Sequence, residues 1–157
     1  MAEFDAYLMV DWSANSRPVT GADSIWYCIV TRSSNGPFVL ELANPSTRRQ
    51  AMSEINVILR DLVRQERMVL VGFDFPLGYP AGTAAALGLT DKPEWSSTWR
   101  ELVRLIIDGD DNSNNRFEVA GELNRRISGG CYPFWSCPQG RVSSTMSCTK
   151  SGPGQPR

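Results

Sequence analysis

Two short apolar runs in this chain each close on an aspartate: Tyr7-Leu8-Met9-Val10 on Asp11, and Met68-Val69-Leu70-Val71-Gly72-Phe73 on Asp74. Ligands in α/β sheets bind outside the carboxyl ends of parallel strands, so two strands that end this way can present two carboxylates at one rim. Carboxylates held together repel, and a shared divalent cation relieves the repulsion, typically Mg²⁺ with retained waters. Such a pair suits phosphodiester hydrolysis or phosphoryl transfer. Each acid alone also admits a plainer role, a strand-end carboxylate bonding nearby backbone amides. The chain contains no histidine, which removes Ser-His-Asp and Cys-His catalysis and every His-based zinc site. Asp11 and Asp74 are therefore the candidate catalytic and metal-ligating residues.

The elements that must position them follow from pattern. Tyr7 to Asp11 or Trp12 reads as a buried strand, followed by turn formers from Ser13 to Pro18. Ser24 to Thr31 is dense in β-branched and aromatic residues. Ser33-Ser34-Asn35-Gly36 makes a turn, and Pro37 to Leu42 supplies a third strand. Asn44-Pro45 offers an N-cap with Pro at the first helical position, ahead of an apolar stripe on Met52, Ile55, Ile58, Leu59, Leu62 and Val63 that spans about five helical turns. The run ending at Asp74 reads as a strand buried on both faces and parallel to its neighbour. Pro76 to Pro80 is loop, Ala81 to Leu89 a short helix, and Glu94 to Ile107 a helix carrying Trp95, Trp99, Leu102, Val103 and Ile106. Asn115 and Glu118 spell a capping box for a helix through Phe117, Ala120, Leu123 and Ile127. The order strand, strand, strand, helix, strand is that of a ribonuclease-H-like α/β mixed sheet, in which the first and fourth strands are parallel neighbours at the centre.

With 157 residues the chain has the size of one domain. The reading is a single α/β domain over residues 1–138 and an irregular or disordered tail over 139–157. Sixteen basic against 17 acidic side chains leave a formal charge of −1, which forces neither a nucleic-acid nor an anionic-membrane partner. Acids at Glu3 and Asp5 argue against a secretory signal, and no apolar run approaches the ~20 residues that span a bilayer. These features predict a cytoplasmic protein without a membrane partner. Cys28, Cys131, Cys137 and Cys148 read as buried thiols, because the last three, separated by five and ten residues, lack the paired CxxC spacing of structural zinc sites.

Other conspicuous residues are weighed the same way. Trp95 and Trp99, one turn apart, read as core packing ahead of a base-stacking platform. Arg48-Arg49 and Arg125-Arg126 read as solvated helix charges, and the acidic stretch Asp108 to Asn114 as a solvated loop lacking calcium-loop spacing. The loop Pro76 to Pro80 shapes the mouth of the site, where Tyr79 is placed to stack on or hydrogen-bond to a ligand. Glu54, Asp110, Asp111, Glu118 and Glu122 are the candidates for a further acid.

The segments Tyr-Leu-Met-Val-Asp-Trp-Ser-Ala, Val-Gly-Phe-Asp-Phe-Pro-Leu-Gly-Tyr-Pro and Gly-Gly-Cys-Tyr-Pro-Phe-Trp-Ser-Cys-Pro resemble a bacterial DUF429-like family. That group is similar to ribonuclease-H-like nucleases, and some members are labelled as linked to cobalamin biosynthesis. The resemblance runs from Tyr7 to Pro138. It implies metal-site roles for Asp11 and Asp74 and makes Ser13 a hydroxyl ligand or phosphate contact. The family's members are longer, so it also implies a C-terminally truncated chain, either a fragment lacking a final strand and helix or a frameshifted product. The resulting expectation is a Mg²⁺-dependent hydrolase or phosphoryl-transfer enzyme acting on nucleic acid or a phosphorylated small molecule. Two alternatives stand beside it: a catalytically inert binding or scaffold protein on the same fold, and a protein of cobalamin biosynthesis.

Overall fold

A computed structural model describes residues 4–32 and 36–150. The expected turn at Ser33 to Asn35 and the end of the tail, 151–157, lie outside the described residues. The elements run β1 (Ala6–Asp11), β2 (Trp26–Arg32), β3 (Phe38–Ala43), α1 (Arg48–Arg64), β4 (Val69–Phe73), α2 (Thr83–Ala86), α3 (Glu94–Leu105) and α4 (Arg116–Ile127), followed by one 3₁₀ turn at Gln139–Arg141. They form two compact units: residues 1–76 with 109–113, and residues 77–108 with 114–157. The boundary after Pro76 falls inside the span that the sequence reads as one domain. No helix among the described residues is long and apolar enough to cross a membrane.

The first unit is α/β, a four-stranded mixed sheet in the order β3-β2-β1-β4 with α1 against it. β1 pairs antiparallel with β2 and parallel with β4, in the register Leu8↔Val71 and Val10↔Phe73. Alternation sorts the side chains: Ala6, Leu8, Val10, Tyr27 and Ile29 face the helix and pack with Ile55 and Leu62. The opposite face carries Met9, Trp26 and Leu42, all exposed. Gly72 sits there beside Met9, whose Sδ lies 2.7 Å from where a Cβ would stand, so a larger residue would displace it.

Two readings of strand and helix burial are corrected. β4 is the edge strand of the described sheet, with Leu70 and Val71 exposed, rather than a strand covered on both faces. On α1, Ala51, Ile55 and Leu62 are buried, whereas Met52 and Val63 point to solvent. The helix meets the sheet along a narrower stripe than its apolar residues spell.

The first expected cap is replaced, and the second keeps its place without its side-chain bond. α1 begins at Arg48, and its N-cap is Thr47, whose hydroxyl accepts the Gln50 amide at 3.1 Å. Asn44 serves another purpose: its Oδ1 accepts the Gly21 amide at 2.7 Å while its Nδ2 donates to Ser24 Oγ and the Ile25 carbonyl. Asn115 makes no capping bond to α4. Its amide group bridges the Ile107 amide and the Leu105 carbonyl, closing the end of α3.

The second unit packs Leu87, Leu102, Val119 and Leu123 with Trp99, Leu105, Ile127 and Phe134. Trp95, expected in the core, is 67% exposed, as are Val103 and Ile107 to a similar degree. Ser97 and Thr98 take the buried positions instead, their hydroxyls donating back to the Glu94 carbonyl. Fully buried Asn124 donates to the carbonyls of Phe134 and Thr145 and accepts the Phe134 amide, tying the irregular segment 134–146 to α4. Residues 139–150 are irregular apart from the 3₁₀ turn, yet Met146 is buried.

Arg126 departs from a solvated charge: it donates to Glu101 and to the Leu87 carbonyl. Hydrogen bonds from Arg104 first and then from Arg126 hold the Glu101 carboxyl down at about 2. A lowered carboxyl pKa stabilises the fold above the unfolded value and loses that contribution as pH falls through the folded one. Acid titration of stability should therefore show a loss between about pH 4.5 and pH 2 that shrinks in Glu101→Gln. In the first unit, Leu8→Ala should cost about 3 kcal/mol in chemical denaturation, and Val57→Ala on the exposed side of α1 under about 0.5 kcal/mol.

Candidate functional site

Asp11 is the last residue of β1 and Asp74 the first residue after β4. Because β1 and β4 pair in parallel with Val10 opposite Phe73, the two aspartates occupy the next matching positions on the same sheet rim. Two hydrogen bonds extend the pairing beyond the strands: the Asp74 amide donates to the Val10 carbonyl at 3.3 Å, and the Trp12 amide donates to Asp74 Oδ1 at 2.8 Å. One oxygen of Asp74 thus closes the ladder, a charge-assisted bond of the stronger kind. Trp12, Phe73 and Phe75 stack beside it, with centroids 4.9 to 6.2 Å apart.

Asp11 and Asp74 line one open hollow with Met9, Trp26, Leu42 and Gly72 on the sheet face away from α1. Asp11 also lines a second, more polar hollow with Ser13, Asp23 and Ser24. Ser13 Oγ donates to the Asp23 carbonyl at 3.0 Å and accepts the Asn15 amide at 3.1 Å. Asp23 sits at φ +56°, in the left-handed region, at the turn that leads into β2. The sequence reading passed over Asp23. The available signal was the Gly-Ala-Asp-Ser turn cluster just ahead of β2.

The loop that carries Ser13 is anchored from α1. Arg48 is 7% exposed, and its guanidinium donates to the carbonyls of Ser13, Asn15 and Asn112. Asn112, 2% exposed, accepts the Arg48 amide through Oδ1 and donates through Nδ2 to the Arg17 and Ser46 carbonyls. The expected solvated roles of Arg48 and of the 108–114 loop are corrected accordingly. A guanidinium with five fixed donors, buried against three carbonyls, is a structural clamp. Arg49 remains an exposed charge, paired with Asp110.

The candidates for a further acid have partners of their own. Glu54 accepts the Tyr27 hydroxyl at 2.9 Å and the side-chain Nε2 of Gln50 at 2.9 Å, on the helix-covered side of the sheet. Asp111 accepts the backbone amide and hydroxyl of Ser113. Glu118 and Glu122 belong to the second unit, where they pair with Arg141 and Arg125. Tyr79 belongs to that unit too, its ring edge-on to Trp99 and Phe134 at 6.2 and 6.1 Å, and burial raises its hydroxyl pKa. Among the described residues no group of three His, Cys, Asp or Glu has the geometry to hold a metal ion.

Compared with family models, with curated proteins and with solved structures, the chain matches none. The site is therefore read from its own geometry. It offers two hard carboxylates on one rim, one of them partly engaged by a backbone amide, with hydroxyl and carbonyl oxygens nearby. Mg²⁺ is commonly bound through only one or two carboxylates, with water and substrate phosphate completing its shell, and that donor set fits the two aspartates.

Tyr27 reports on where Glu54 spends its charge. Burial, then the hydrogen bond to Glu54 and its negative charge, push the Tyr27 hydroxyl from 10 up to about 12. The stabilisation this gives is present below pH 10 and lost as pH rises through about 12. Glu54→Gln should lower the Tyr27 pKa, read from phenolate absorbance, without returning it to 10, since burial is the larger cause.

Proposed function

We propose that this chain is a Mg²⁺-dependent hydrolase or phosphoryl-transfer protein of ribonuclease-H-like type, in which Asp11 and Asp74 hold the cation. The observation that carries the reading is the parallel β1–β4 pairing, extended by the Trp12 amide on Asp74 Oδ1, which sets the two carboxylates side by side. The strand order β3-β2-β1-β4, with α1 between β3 and β4 in the chain, supports the same fold reading, as does the resemblance of the Asp-bearing segments to the DUF429-like family. Magnesium, when bound, supplies positive charge that activates water and stabilises a leaving phosphate oxygen. The chain's own part is to orient. Asp11 and Asp74 would hold the cation from their shared rim, Arg48 fixes the loop that carries Ser13, and Ser13 and Asp23 border the adjoining hollow, which would take a phosphate-bearing substrate. Nucleic acid and a phosphorylated small molecule both fit this chemistry, and a cytoplasmic setting without a membrane partner suits either.

A second reading, an inert binding protein on the same fold, is favoured by one specific observation. The Glu54 carboxylate, the candidate further acid on the first helix, is engaged by Tyr27 and Gln50.

Magnesium or manganese titration followed by thermal unfolding separates the parts. The native chain should gain several degrees in Tm, and Asp11→Asn should abolish the gain while leaving the metal-free Tm nearly unchanged. Asp74→Asn keeps an acceptor for the Trp12 amide, so it should fold and likewise lose the response. Equal stabilisation of all three proteins would remove the aspartates from the metal site. A cation response without turnover of a phosphodiester or phosphomonoester would favour the binding protein.

A further inference from the structure

Far from the aspartates in sequence, three cysteines are gathered in the second unit. The amides of Ser136 and Cys137 both donate to the Ser147 carbonyl, at 2.9 and 3.2 Å, which sets Cys137 and Cys148 against each other across two irregular segments. Both segments are anchored. Asn124 bonds the Phe134 carbonyl on one and the Thr145 carbonyl on the other, and Met146 is buried between them and α4. Burial first, then the neighbouring Cys148, then Cys131, raise the pKa of the Cys137 thiol. The Cys148 thiol is the more accessible, and it donates to Gln139 Oε1 at 3.2 Å. Cys131 is directed elsewhere, its thiol on the carbonyls of Ser143 and Ser144.

We propose that Cys137 and Cys148 form an oxidant-responsive thiol pair that closes to an intramolecular disulfide on reaction with a hydroperoxide. The partly exposed thiol reacts first, because attack on peroxide needs access. Cys148 Sγ displaces hydroxide from the peroxide oxygen and becomes a sulfenic acid, and the hydroxide leaves as water with the thiol's proton. Cys137 Sγ then attacks Cys148 Sγ, the S–O bond breaks, and a second water leaves with the Cys137 proton. In balance, two thiols and one hydrogen peroxide give one disulfide and two waters. Burial keeps Cys137 protonated and unreactive until a sulfenic acid forms beside it, which makes it the resolving thiol. The disulfide would staple the two segments that Asn124 already holds.

The test uses the full chain. One equivalent of hydrogen peroxide is added, remaining thiols are capped with a maleimide, and the protein is digested. Trypsin separates 127–141, which carries Cys131 and Cys137, from 142–150, which carries Cys148. The expected product is these two peptides cross-linked, less two hydrogen atoms. A second cut after Trp135 assigns the bond to Cys137 without any substitution. Cys131→Ser should keep the cross-link. Cys137→Ser should abolish it, leaving Cys148 at the sulfenic acid, which a second equivalent of peroxide would carry to the sulfinic acid. A bond to Cys131, a cross-link between two chains, or complete oxidation of Cys148 with no cross-link would each overturn the proposal, as would zinc held by these thiols in the untreated protein.

Discussion

The proposed metal site depends on one piece of pairing, the parallel ladder between β1 and β4. The ladder is short, five residue pairs from Ala6↔Val69 to Val10↔Phe73. It is lengthened at its carboxyl end by Asp74, whose amide bonds the Val10 carbonyl and whose side chain accepts the Trp12 amide. A hydrogen bond to a charged acceptor contributes roughly 1.5–3 kcal/mol, so Asp74 holds the two strands in line at the rim. Asp11 arrives at the same rim through simple alternation: Ala6, Leu8 and Val10 must face the helix, and the residue after Val10 then turns to the opposite face. Position and chemistry come from the same constraint.

The long connection between β1 and β2 has little apolar content to hold it, and polar side chains do that work instead. Arg48 reaches from the first turn of α1 to the Ser13 and Asn15 carbonyls, Asn112 reaches Arg17 and Ser46, and Asn44 grips Gly21, Ser24 and Ile25. The second unit repeats the device with Asn124 and with Arg126 on Glu101. A buried polar side chain is costly unless all its donors and acceptors are met. These residues meet theirs largely with backbone groups that would otherwise be stranded in irregular segments. Removing one would therefore free a whole loop as well as a single contact.

Much of the strand order was legible because it rests on local signals. Apolar runs bounded by turn formers gave β1 to β3, the three-four spacing gave α1, and the two runs ending in aspartate gave the notion of a shared rim. The residues that went unread have their partners far away in the chain. Arg48 looks like any helix charge until Asn112, 64 residues on, closes over it. Asn44-Pro45 and Asn115 with Glu118 satisfy local capping rules, yet tertiary carbonyls and amides compete for the same side chains and win. Trp95 has the spacing of a core residue but lies in the first turn of α3, where Ser97 and Thr98 take the buried side. Asp23 was invisible for the opposite reason, since a single acid in a turn cluster carries no pattern. Periodicity reports which face is inside, and it is silent on which polar groups will meet.

The central claim is spatial: Asp11 and Asp74 offer their carboxylates to one common point. Anomalous diffraction from crystals soaked in manganese measures it most directly, because the ion's own scattering locates it. The account predicts a single strong peak within bonding distance of both carboxylates. A peak on one aspartate alone, on other residues, or none at saturating manganese would contradict it.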